Sequence, residues 1–319
     1  MKKILFIFLF SALILFSSCG KDNVNKRTSQ VDTDTLTTGW KKMKFIDSTG
    51  LLDIFFINNT GFAVGTHIYK SSDGGENWSL ISAPPAMGIG NFLNIGMGSE
   101  MNAVFVSADR LISTHNGGTS FITNIPGDKA LSDAFFIDST IAYAVGNSLW
   151  KTVDGGDNWS KLYDFPTTTG FSSLFFTNEK TGWVSKREGV YKTTNGGIAW
   201  QRVNTDTISL DGEGIFFLNA STGYISNTTS IERTLDGGAS WNKVFACTNN
   251  TYHDIHFVSA NVGYITDGPR VFKTSDGGNT WTKEVALSSS SNWLIELHFA
   301  DENHGWACGG KGTILKFNQ

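Results

Sequence analysis

Six near-copies of one nine-residue stretch punctuate this chain, and their spacing constrains the fold more than any other feature. They read KSSDGGENW (70–78), STHNGGTSF (113–121), KTVDGGDNW (151–159), KTTNGGIAW (192–200), RTLDGGASW (233–241) and KTSDGGNTW (273–281). Aligned on Asp73, Asn116, Asp154, Asn195, Asp236 and Asp276, the copies lie 43, 38, 41, 41 and 40 residues apart. A period near 40 is the size of one four-stranded propeller blade.

The residues between the boxes repeat too. A strand with paired aromatics comes first, as in DIFFI (53–57), DAFFI (133–137), SLFFT (173–177) and GIFFL (214–218). A short strand follows a small residue, as in GFAVG (61–65) and GYIT (263–266). A third leads into the box and a fourth starts at its aromatic. No stretch has helical periodicity, and turn residues recur every eight to twelve positions, so the chain reads as all-β. Adjacent strand residues point to opposite faces, so Phe135 and Phe136 need a sheet that is dry on both sides. A blade packed between two others supplies that.

Three strands follow the last box (WLIELHFA, HGWACG and TILKF) and no fourth. The missing strand is predicted at the other end, in GWKKMKF (39–45), where Trp40–Phe45 pairs with Thr313–Phe317 and closes the ring. The expected fold is a seven-bladed β-propeller of four-stranded antiparallel blades over 39–319, with the last blade closed by the N-terminal strand.

The box pattern Ser/Thr-x-Asp-x-Gly-x-x-Trp resembles the Asp-box, or BNR repeat, of sialidases and many other propellers. Physically it is a hairpin: a short Asp or Asn side chain accepts backbone N–H bonds and glycines take positive φ. Asn116 and Asn195 serve in such a turn but are poor hard-cation ligands. All six positions are therefore read as structural. The wider grammar of the repeats is similar to the subgroup that includes the photosystem II assembly/stability factors and their relatives in non-photosynthetic bacteria. That resemblance implies a non-enzymatic propeller that holds a protein partner.

The N-terminus reads MKKILFIFLFSALILFSSCG. Two lysines precede an apolar run too short to span a bilayer comfortably, which predicts an export signal over 1–18. The LFSSC ending resembles a lipobox that leaves Cys19 diacylated. The following Gly20-Lys21-Asp22 resembles a surface-export tag. These features predict a lipoprotein of the bacterial outer membrane, facing periplasm or exterior. Residues 19–38 hold almost no large apolar side chain and read as a flexible tether. Cys247 and Cys308 fall in different repeats and read as two free thiols. Loss of Lys2 and Lys3 with the signal takes the net charge from −4 to −6, which gives no basis for a nucleic-acid partner.

Candidate binding residues are those on loops expected to share the face opposite the boxes. They are Arg110, Lys186, Arg187, Arg270, Trp293 and Lys311, together with the blade-to-blade loops at 82–91, 205–213, 248–254 and 288–293. Such groups suit an acidic protein or a glycan. A sialidase-type enzyme is the alternative, but it needs an arginine cluster and an Arg-Ile-Pro signature. The folded part has five arginines, and its single Ile-Pro, at 125–126, follows Asn124. Glu213 and Tyr252 are the residues available for a nucleophile pair. His256 and His298 replace the first aromatic of the doublet, with Asp254 and Glu296 two residues earlier, and are weak metal candidates. No catalytic residue and no cofactor is expected, and the protein is expected to act as a monomer.

Overall fold

A computed structural model describes residues 34–81, 91–128, 130–166, 173–203, 214–247, 254–288 and 292–319. Seven antiparallel sheets follow one another around a central channel. We number the blades by residues 51–81, 92–124, 133–164, 173–202, 215–246, 255–286 and 294–318. Blade seven takes its outermost strand from Trp40–Lys42, with Trp40 opposite Phe317, Lys41 opposite Lys316 and Lys42 opposite Leu315. The ring therefore closes by the predicted pairing, and the described residues hold strands and one short 3₁₀ turn, Gly310–Gly312.

The aromatic doublet explains how the blades pack. Its second member is buried against the preceding blade. Phe56 stacks on Trp306 at 3.8 Å, Phe176 on Tyr143 at 4.2 Å, Phe217 on Trp183 at 3.7 Å, Phe257 on Tyr224 at 4.1 Å and Phe299 on Tyr264 at 4.1 Å. The same ring lies flat over the small residue that starts the next strand. A Cβ on Gly61 would sit 2.3 Å from the Phe56 ring, which is why the grammar places glycine there. The first member is half-buried and stands along the channel wall. The doublet thus splits between a blade interface and the channel. Cys247 is half-buried and Cys308 fully buried, in different blades.

One boundary differs from expectation. The low apolar content of 19–38 predicts a tether through residue 38, but Thr35–Leu36 form a fifth strand on blade six, with Thr35 opposite Ala286 and Leu36 opposite Val285. Polar bonds hold it. The Asp34 carboxylate accepts from Ser288 and pairs with Lys42 at 3.0 Å, and Thr37 donates its hydroxyl to Glu284 at 2.6 Å. Those bonds draw the Asp34 carboxyl down to a pKa of about 2. A composition rule misses such an edge strand because backbone ladder bonds need no apolar side chain. Residues 34–42 therefore staple blade six to blade seven.

Candidate functional site

The boxes are hairpins held by their Asp or Asn and by their Ser or Thr hydroxyl. In the first, Asp73 Oδ1 accepts the Asn77 N–H at 2.9 Å and its other oxygen accepts the Asn77 amide at 2.7 Å. Gly74 and Gly75 take φ of 70° and 87°. The Trp78 indole donates to the Gly75 carbonyl at 3.1 Å. Asp154, Asp236 and Asp276 repeat this bonding, and all four carboxyls sit near a pKa of 2, mainly through these bonds, with burial of Asp154 opposing them. Asn116 and Asn195 accept through Oδ1 in the same way. The box hydroxyl is the member that sequence reasoning missed. Thr152, almost fully buried, accepts the Gly156 N–H at 3.0 Å and donates to Asp154 at 2.7 Å.

The predicted basic face does not converge. Arg110 is paired with its neighbour Asp109 at 2.8 Å, and Arg270 with the buried Asp267 at 2.8 Å. Lys186 is not a surface group. It is 1% exposed, donates to the Gly146 carbonyl at 2.8 Å and lies over the Phe165 ring. Burial lowers its pKa. It was predicted on the surface because its strand ends at a loop, but the strand places it between blades three and four. Arg187, Lys311 and Trp293 are exposed, Trp293 at 47%. Cys19, Glu213 and Tyr252 lie outside the described residues, as do most of the four blade-to-blade loops.

What does converge is the channel, a cavity of about 550 Å³ lined by the seven inner strands. Each inner strand runs from the loop-rich face towards the boxes, so the residue two before the first aromatic comes nearer the loop-rich mouth. Around the ring these positions are Asp53, Asn94, Asp133, Ser173, Gly214, Asp254 and Glu296. Several hold the next blade. Asp53 accepts the Ile95 N–H at 2.6 Å, Asn94 that of Ala134 at 3.0 Å, Asp133 that of Leu174 at 2.7 Å and Asp254 that of Leu297 at 3.1 Å.

The four acids sit among apolar walls with one another as charged neighbours. Burial, reinforced by the other acids, pushes Asp53 and Glu296 well above the carboxylate range. Burial also raises Asp254, and Asp133 to about 7. Glu296 shares a hydrogen bond with Asp254 that favours its protonated form. Asp254 and Glu296 were visible from the sequence beside the histidines. Asp53 and Asp133 carried the same signal, an acid two before the doublet, without a histidine to mark it.

Deeper in, the first aromatics form a collar. Phe135 meets Phe175 at 5.1 Å, Phe175 meets Phe216 at 4.9 Å, Phe216 meets His256 at 5.2 Å, His256 meets His298 at 5.5 Å and His298 meets Phe55 at 4.0 Å. Gly96 leaves the gap between Phe55 and Phe135. Burial lowers His256 to about 3 and His298 to about 4, so both imidazoles are neutral at pH 7. Among the described residues no three His, Cys, Asp or Glu side chains are arranged to hold a metal ion.

Comparisons with known proteins agree with this architecture. The family model described as photosynthesis system II assembly factor YCF48 matches residues 242–318, the outer strand of blade five through blade seven. The photosystem II assembly lipoprotein Ycf48 of Prochlorococcus marinus (strain MIT 9312) is 41% identical over 86 residues, 24% of this chain and only 23% of that relative's length. A solved structure of YCF48 bound to D1 peptide superposes with a TM-score of 0.73 at 18% identity, covering 88% of this chain and 97% of that one. The Niastella koreensis GH74 enzyme superposes at 0.68 with 13% identity over 87% of this chain and 53% of that one. At such identities the superpositions establish the fold alone. The family and sequence matches correct one expectation. Export features predict an outer-membrane lipoprotein, but the matched proteins are named for assembly of photosystem II, which does not agree with an outer-membrane placement. The chain is a seven-bladed propeller built on Asp-boxes, and its residues 242–318 match the YCF48 family model.

Proposed function

We propose that this propeller is a non-enzymatic scaffold that binds a protein partner, tethered to a membrane through a diacylated Cys19. The carrying observation is a rigid ring, closed by its own N-terminal strand, that superposes over most of its length on an assembly factor holding a peptide. Rigidity suits a scaffold because little ordering cost is met on binding. The tether is supported by the export features and by a relative named as a lipoprotein. Asp254 and Glu296 share a hydrogen bond, whereas glycoside hydrolysis needs carboxyls about 5–10 Å apart flanking the scissile bond.

Capture from native membranes with the full-length protein tests this reading, and recovery of one stoichiometric protein is the expected result. Cys19→Ser should move the protein to the soluble fraction. A glycan-binding propeller is the second reading, favoured by the exposed indole of Trp293 near the loop-rich mouth. Binding on a glycan array that Trp293→Ala abolishes, with no protein captured, would decide for it.

A further inference from the structure

The acid ring holds more carboxyls than the fold requires. Asn94 makes the same blade-to-blade bond as Asp53, Asp133 and Asp254, accepting a backbone N–H through its amide oxygen. An uncharged side chain therefore suffices for the joint. At Asp53, Asp133, Asp254 and Glu296 the chain keeps carboxyls where burial and mutual repulsion both oppose ionisation. Among the described residues no lysine or arginine lines the cavity.

A second observation points the same way. His298 is only 9% exposed, lines the channel and bonds the Phe56 carbonyl through Nε2 at 2.8 Å. A carbonyl only accepts, so Nε2 carries the proton and Nδ1 keeps a lone pair. That Nδ1 has no hydrogen-bond partner among the described residues, and neither has either ring nitrogen of His256. The carboxyl oxygens, which a bound cation would help to ionise, the free lone pair and the faces of Phe135, Phe175 and Phe216 all attract a cationic donor. Among the described residues no three ligands come together for a metal ion, so an organic cation fits the lining better.

Shape narrows the choice of cation. The acceptors are spread around a ring rather than paired on one edge, which suits the compact three-donor ammonium of lysine better than the planar fork of arginine. Leu52, Leu93 and Ile295 at the mouth offer apolar wall to a methylene stem. We propose that the channel is a lysine socket, in which a side-chain ammonium of the bound protein enters from the loop-rich mouth and settles between the acid ring and the aromatic collar. This rests on the protein-binding reading above and deepens it.

The test titrates n-butylammonium, the lysine side-chain analogue, into the full-length protein at pH 8. Calorimetry and the imidazole resonances of His256 and His298 provide the readouts. Saturable binding with shifts at both histidines is expected, with none for n-butanol. Asp133→Asn and Glu296→Gln should each weaken it about tenfold, the loss of roughly one charge contact. Phe216→Leu, which trims the collar and leaves the joints intact, should weaken it less. An unchanged thermal melt shows that each variant is folded. Absence of saturable binding, equal binding of n-butanol, or indifference to both acid substitutions would overturn the socket. A partner captured equally well by wild type and Glu296→Gln would also overturn it and leave the protein-binding reading standing. Butylammonium binding without any captured protein would sustain the socket's chemistry and sink that reading instead. Spermidine binding that a captured partner does not displace would assign the socket to free polyamines and reject the lysine side chain.

Discussion

Six blades carry an Asp-box and the seventh does not, and the contrast shows what a box does beyond turning the chain. In a boxed blade the glycine carbonyls are acceptors. The second serves the box's own indole, as Trp281 donates to Gly278 at 3.2 Å. The first serves the neighbouring blade: Trp306 donates to Gly74 at 3.0 Å, Tyr143 to Gly196 at 3.1 Å, Trp183 to Gly237 at 3.0 Å and Tyr224 to Gly277 at 2.9 Å. Blade seven has Trp40 in the indole's place, and Tyr264 of blade six faces it. Both are buried, and neither Trp40 Nε1 nor Tyr264 Oη has an acceptor among the described residues. Lys273 lies over the Tyr264 ring at 5.4 Å, whereas its counterpart Lys70 reaches the Gly117 carbonyl at 2.7 Å. The box is a blade-to-blade joint as well as a hairpin.

The unboxed seam holds by packing and by the staple at 34–42. Trp40 touches Phe317 at 5.3 Å, Phe299 at 6.0 Å and Tyr264 at 6.2 Å. The largest effect should come from removing that plug. Trp40→Ala should lower stability by about 3–5 kcal/mol, the usual cost of truncating a buried indole. The equivalent change at a boxed position, Trp281→Ala, should cost less, because that indole is only half-buried and its blade keeps four strands of its own. Chemical denaturation checks both. Equal losses would mean that the closing seam is no more dependent on its aromatic than the other six.

A middle-sized effect separates the two halves of a box. Thr152→Val leaves the Gly156 N–H buried without an acceptor and should cost about 1–3 kcal/mol. Asp154→Ala removes bonds at an exposed turn that water can replace, so about 1 kcal/mol or less is expected, in the manner of a lost cap. The reverse order in thermal melts would make the carboxylate the keystone of the hairpin.

The fold was legible because its signals are periodic. Box spacing gave the blade count, the unpaired last blade gave the closing strand, and the doublet gave two dry faces. The channel was less legible because ring geometry, not sequence proximity, unites Asp53, Asp133, Asp254 and Glu296. Each lies in a different repeat, and only Asp254 and Glu296 were marked, by the histidines two residues on. Lys186 misled for the opposite reason. A lysine beside a loop is usually solvated, and only the packing of blades three and four shows its ammonium capped by Gly146. Residues 34–37 escaped because their pairing is made by backbone and polar side chains.

The smallest effect is the most discriminating. Tyr143 and Tyr264 occupy the same place in their blades, and both are buried. Tyr143→Phe deletes a hydroxyl that donates across a boxed seam and strands the Gly196 carbonyl, so a loss of about 1 kcal/mol is expected. Tyr264→Phe deletes a hydroxyl with nothing to bond, and removing an unsatisfied buried polar group should be neutral or slightly stabilising. The difference between the two variants measures what one box carbonyl gives its neighbour. If Tyr264→Phe proved as costly as Tyr143→Phe, an ordered water would have to stand where the seventh box is missing. The seam would then be solvent-bridged, and Trp40 Nε1 would be that water's second partner.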